Sequence, residues 1–246
     1  MALSMLTSLK KKSMLITGGA SGLGAALAEQ LACEGADVML ADINETAAER
    51  QADSLREKGY SAAAVHCDVG NPDDAETAVH KTISRFGKID VLINNAGIDV
   101  TCSLCELELA QWERVLRTNL HGPFLMARSA ARHMMGQGDG TIINITSTAA
   151  KRAWPNACAY HASKTGLLGL SHALHAELRP AGIKVTAVVC GGMATPFILG
   201  RFPGIDPLTL QEPANVALTI SQLLRLPSET VIPEITVLPM NETSWP

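Results

Sequence analysis

Apolar residues along this chain fall into two alternating patterns. Short, nearly unbroken apolar or β-branched runs occur at 13–17, 37–41, 61–67, 89–93, 141–146, 184–189 and 234–238. Runs of that length between turn-forming residues read as strands. Between them lie longer helical patterns: from the glycines near residue 22 to about Cys33, 45–58, 72–86, roughly 107–135, and a helix through Tyr160 that stops at Pro180. Pro72 suits the first turn of its helix, where the missing amide costs no hydrogen bond. Strict alternation of strand and helix predicts an α/β class: one domain over 1–246, a doubly wound parallel sheet in a three-layer α/β/α arrangement. Ligands of such sheets bind at the carboxyl ends of the strands, where the strand order reverses.

Composition narrows the function classes. With 246 residues, 47% hydrophobic and 18% charged, the chain holds material for one full core. A net charge of −4, with Lys10-Lys11-Lys12 too short to form a basic stripe, gives no expectation of nucleic-acid binding. No apolar run approaches the roughly 20 residues of a membrane span. A strand starting at residue 13 leaves no room for a cleavable leader, so a cytoplasmic location is expected. The six cysteines then read as reduced thiols. Cys102 and Cys105 form a lone C-x-x-C, and His172 with His175 has no third ligand in view, so no metal site is expected.

Three groups of residues fall at strand ends and carry chemistry. Thr17 to Gly24 follows the first strand and opens the first helix, with Gly18, Gly22 and Gly24 spaced G-x-x-x-G-x-G. Glycines there let the backbone turn tightly and approach a pyrophosphate, whose charge suits the amides of a helix N-terminus. Asp42, eighteen residues past Gly24, ends the second strand. A carboxylate there accepts ribose hydroxyls and repels a 2′-phosphate. Neither the glycine loop nor Asp42-Ile43-Asn44 contains Arg or Lys, so NAD is expected over NADP. Tyr160, one of two tyrosines, precedes Lys164 by four residues, which places both on one face of a helix. An ammonium beside a phenol favours the phenolate and is expected to pull its pKa below the usual value of about 10. That makes Tyr160 a proton-transfer group for an alcohol or ketone.

Together with Asn94-Asn95-Ala96-Gly97, Asn119 and Ser147, these residues resemble the short-chain dehydrogenase/reductase superfamily in its roughly 250-residue branch. The likeness runs from about residue 13 to 200 and includes the thirteen residues from Ser147 to Tyr160. It implies a Rossmann fold and a catalytic set of Asn119, Ser147, Tyr160 and Lys164. It further implies cofactor contacts from Gly18, Ser21, Gly22, Leu23, Gly24, Asp42, Ile43, Asp68, Val69, Asn95, Ala96, Gly97, Tyr160, Lys164, Met193 and Thr195. Ser147 would orient the substrate oxygen, Tyr160 would exchange its proton, and Lys164 would hold the nicotinamide ribose. Asn119 would interrupt its helix and hold a proton-relaying water.

The chain departs from the family pattern twice. Cys190 stands where a proline usually opens the loop after the sixth strand, which is expected to loosen that loop. The last strand runs into Leu238-Pro239-Met240 rather than Asp-Gly-Gly, which leaves a homodimer or homotetramer as the expected assembly. Residues 196–212 are the expected substrate lid. Asp99, Ala149, Trp154, Met193 and Phe197 are the expected pocket lining, a mostly apolar set suited to an apolar secondary alcohol or ketone. The sequence thus favours an NAD-dependent alcohol dehydrogenase. A 3-oxoacyl (carrier-protein) reductase is the alternative, and a non-catalytic dinucleotide sensor a second one.

Overall fold

The computed structural model describes residues 6–242. Its strands are β1 (Ser13–Thr17), β2 (Asp37–Asp42), β3 (Ala62–His66), β4 (Val91–Asn94), β5 (Gly140–Ser147), β6 (Ile183–Cys190) and β7 (Glu234–Val237). They form one seven-stranded sheet in the order β3-β2-β1-β4-β5-β6-β7, each adjacent pair parallel. The order reverses between β1 and β4, which opens a crevice at their carboxyl ends. Every strand in the sequence reading is present, with ends shifted by up to two residues.

Alternate residues of each strand feed opposite faces, as the pleat requires. Met14, Ile16, Val38 and Leu40 join Leu27, Leu31, Ala52, Val216 and Ile220 in one core. These partners come from α1 (Gly22–Cys33), α2 (Glu45–Glu57) and a later helix at 213–224. Leu15, Met39 and Leu92 face the other way, onto Val79, Met126 and Met134 of α3 (Pro72–Phe86) and a helix at 122–137. Local signals set the helix ends. Asn71 caps α3 by accepting from the amides of Asp73 at 2.9 Å and Asp74 at 3.4 Å, and both aspartates suit the positive end of the helix dipole. Gly87, at φ +86°, closes the same helix in a left-handed conformation.

The helices expected over roughly 107–135, with an interruption at Asn119, are three pieces. α4 (Leu109–Leu116) runs through a π-helical turn at Arg117–His121 into α5 (Gly122–Gln137). The wide turn contains Asn119, fully buried, and single π turns often mark functional sites. The remaining helices are α6 (Cys158–Leu178), the short α7 (Pro196–Leu199) and α8 (Pro213–Leu224). The sequence reading assigned no element to α8, although Pro213 at its first turn and the spacing of Val216, Ala217 and Ile220 carry its signal. Among the described residues no helix is long and apolar enough to cross a membrane.

Candidate active site

The glycine loop is held against the end of β4. Thr17 Oγ1 accepts from the amides of Asn95 at 3.0 Å and Ala96 at 3.1 Å, while Asn95 Nδ2 donates to the carbonyls of Thr17 and Gly18. Gly24 packs so tightly that a Cβ there would lie 2.0 Å from the Gly18 oxygen, and Gly18 itself takes φ +63°. Ser21 makes no side-chain cap, and the first turn of α1 carries no acidic residue. Beside it, Asp42 accepts from Ala20 N at 3.0 Å and Asn44 N at 2.9 Å, and Ile43 is largely exposed. Leu23 is buried in the core under the loop.

Four side chains converge at the ends of β5 and α6. Ser147, the last residue of β5, accepts from the Ala149 amide at 3.1 Å, and its hydroxyl acts on the Tyr160 phenol to lower its pKa. Lys164, one turn along α6, is 4% exposed; its Nζ donates to the Ile145 carbonyl at 2.9 Å and lies 5.7 Å from the Tyr160 ring centre. Asn119 accepts from Ile98 N at 2.8 Å and donates to Ile98 O at 2.7 Å and Ser163 Oγ at 3.0 Å. Ser163 in turn donates to the Tyr160 carbonyl at 2.8 Å. A Cβ on Gly97 would stand 3.5 Å from both Asn119 Oδ1 and Lys164 Nζ, so that glycine faces the cluster directly.

Burial sets the acidities. It pushes the Tyr160 phenol up to about 12, with the Ser147 hydrogen bond working against it, and it pulls the Lys164 ammonium down to about 8. This differs from the sequence expectation of a lowered phenol, because desolvation, helped by the Asp99 charge, outweighs Ser147 and Arg201. Cys190 is no loosened hinge. It ends β6 in register with Ser147 and Val237, and the amides after it donate to Val237 O and the Glu242 carboxylate. Burial raises its thiol to about 12, so it stays protonated and unreactive.

The expected pocket residues divide. Ala149, Ala157 and Tyr160 form a small buried cluster with Phe197 packed on it, the Phe197 ring 6.0 Å from that of Tyr160. Met193 bridges to Gln211, which ties the loop after β6 to the end of the 196–212 segment. Thr195 lies against Gly22, at 3.4 Å from where a Cβ would be. Asp99 is paired with Arg201, a residue the sequence reading missed. Trp154 is 37% exposed and packs edge-on against His161. His161 donates from Nδ1 to Ala149 O and accepts at Nε2 from the Trp154 amide, so it braces the loop before α6. Asp68 is engaged by Gly70 N and Arg117, and Val69 is buried against Gly122.

Residues 12–201 match the family model described as short chain dehydrogenase. The chain belongs to the short-chain dehydrogenase family. It is 37% identical over 187 residues to cis-4-hydroxycyclohexanecarboxylate dehydrogenase of Sinomonas cyclohexanicum, covering 76% of this chain and 75% of that one. It is 36% identical over 191 residues to 3-oxoacyl-[acyl-carrier-protein] reductase of Synechocystis sp., covering 77% of each. A solved short-chain type dehydrogenase/reductase from Mycobacterium marinum superposes with a TM-score of 0.88 at 29% identity, covering 97% of this chain and 98% of that one.

Members of the short-chain dehydrogenase family use NAD(H) or NADP(H), and the residues present fit such a group. The uncapped amides of α1 and the Gly18–Gly24 cradle suit a pyrophosphate. The Asp42 carboxylate, held from behind by two amides, keeps lone pairs for ribose hydroxyls. Lys164 retains two N–H groups beyond its bond to Ile145. Two further residues belong to the site in this family member and had no local sequence signal: Ser163, which ties Asn119 to α6, and Arg201.

Proposed function

We propose that this short-chain dehydrogenase interconverts a secondary alcohol and a ketone with NAD, Tyr160 acting as general acid and base. The observation that carries the reading is Lys164 Nζ, buried 5.7 Å from the Tyr160 ring centre and facing Gly97 and Asn119, with Ser147 at the end of β5 acting on the same phenol. When bound, the nicotinamide supplies or accepts the hydride. The chain's own residues do the rest. Ser147 orients the substrate oxygen against Tyr160, and the phenol gives its proton to a forming alkoxide or takes one from an alcohol. Lys164 positions the nicotinamide ribose, and Asn119 fixes the Ile98 backbone so that a water can relay protons from Lys164. Gly18, Ser21, Gly22, Leu23 and Gly24 would frame the pyrophosphate, while Asp42 and Ile43 would hold the adenosine ribose and exclude a 2′-phosphate. Asp68, Val69, Asn95, Ala96 and Gly97 would line the adenine and ribose side, and Met193 and Thr195 would meet the nicotinamide end.

The substrate's carbon framework rests on Ala149, Met193 and Phe197, under the 196–212 segment. Reduction of a carrier-bound 3-oxoacyl group, the activity named for one relative, is a narrower case of the same chemistry. Calorimetric titration with NAD and NADP, followed by NADH production from a panel of secondary alcohols, tests the reading. NAD binding at least tenfold tighter than NADP, with turnover, is expected; NADP preference or bound NAD without turnover contradicts it.

A further inference from the structure

The surroundings of Tyr160 are not wholly apolar. Asp99, in the loop after β4, is ion-paired with Arg201, which follows α7. The Asp99 side chain is 6% exposed, and Arg201 is 23% exposed. Arg201 lies 3.9 Å above the Phe197 ring and donates from Nε to the Phe197 carbonyl at 2.9 Å. Phe197 itself packs on Tyr160. Through Arg201 and Phe197 the carboxylate is thus linked by contacts to Tyr160, and its charge raises the pKa of both Tyr160 and Lys164. One oxygen, Oδ2, takes the guanidinium. The other, Oδ1, is buried and has no hydrogen-bond partner among the described residues. A buried carboxylate oxygen without a donor is costly, and a ligand that supplies the donor recovers that cost.

We propose that Asp99 and Arg201 select a substrate bearing a second hydroxyl beside its reacting carbinol, that hydroxyl donating to Asp99 Oδ1. This rests on the alcohol–ketone reading above. The pair is already neutral, which decides between ligand classes. A carboxylate would face Asp99, and an ammonium would face Arg201 and Lys164. A hydroxyl donates to Oδ1 and accepts from a remaining guanidinium N–H without adding charge. Because Arg201 belongs to the segment that packs over Tyr160, recognition of that hydroxyl and coverage of the site share one contact.

Matched substrate pairs test the proposal: cyclohexanol against cyclohexane-1,2-diol, and butan-2-ol against butane-2,3-diol, each followed by NADH formation. Wild-type kcat/KM is expected to favour each diol at least about tenfold, the scale of a hydrogen bond to a buried charged acceptor. Asp99→Leu should bring the ratio to within about twofold of one, whereas Asp99→Asn, which keeps an acceptor oxygen, should retain part of the preference. NAD binding by each variant reports its folding, and the wild-type ratio decides even if a variant fails to fold. Equal use of both members of a pair, or a diol preference untouched by Asp99→Leu, overturns the proposal alone. A wild type that binds NAD and oxidises neither class overturns the alcohol–ketone reading and this one with it.

Discussion

Lys164 Nζ sits 5.7 Å from the centre of the Tyr160 ring, one turn along the same face of α6. Both groups are buried, so each resists its charged form: the phenol is raised to about 12 and the ammonium lowered to about 8. A phenol with that acidity is an able proton donor at neutral pH and a scarce base. Ketone reduction should therefore hold a steady rate across neutral pH, while alcohol oxidation should climb with pH as the phenolate fraction grows. Plots of log kcat/KM against pH in the two directions check this. An oxidation profile that falls between pH 7 and 9 would contradict it.

Lys164 also makes stability depend on pH. Its folded pKa, about 8, lies below its ordinary 10.5, so the unfolded chain binds more protons between those values. Stability from this residue therefore rises as pH climbs through about 8. The buried thiols of Cys67 and Cys190, raised from 9.0 to about 12, work in the opposite sense above pH 9. The visible rise is thus confined to the window near pH 8–9. Urea unfolding of Lys164→Met should lack that rise, and a mutant curve parallel to wild type would sink the assignment.

Asp42 meets the glycine loop through Ala20 N and its own turn through Asn44 N. Asp42→Ala should weaken NAD relative to NADP by about tenfold and cost about 1 kcal/mol of stability from the lost backbone bonds. Titration with both dinucleotides reads the first effect and thermal unfolding the second. An unchanged cofactor ratio would remove the role given to the carboxylate.

Asn119 is fully buried and bonds both backbone groups of Ile98 as well as Ser163. Asn119→Ala leaves those partners unsatisfied and should destabilise the fold by about 2–4 kcal/mol. Ser163→Ala removes the link from Asn119 to α6 together with the Ser163 bond to the Tyr160 carbonyl, and should cost about 1–2 kcal/mol while lowering kcat more than it changes KM. Denaturation curves and steady-state rates separate the two variants.

Much of this molecule is legible in its sequence because parallel strands are buried on both faces and read as unbroken apolar runs, as Met14–Thr17 and Val185–Val189 do. Glycine spacing and the Tyr160–Lys164 interval are equally local. Arg201 is not, since its pairing with Asp99 spans 102 residues and leaves no mark at either position. The direction of the Tyr160 shift was hidden for a related reason. A neighbouring charge is visible in spacing, whereas burial is created only when β5, α6 and the segment after β6 meet. Trp154 is expected as a pocket wall because it is aromatic and near Tyr160 in sequence; its edge-on contact with His161, like the Asp99–Arg201 pair, is set by the fold.

NADH formation from secondary alcohols by wild type and by Tyr160→Phe, beside NAD binding by both, tests the central claim most directly. Equal NAD affinity with turnover reduced at least about a thousandfold in the variant is the predicted result. A variant that keeps wild-type turnover, or a wild type that binds NAD and oxidises nothing, would contradict it, the latter favouring a dinucleotide sensor.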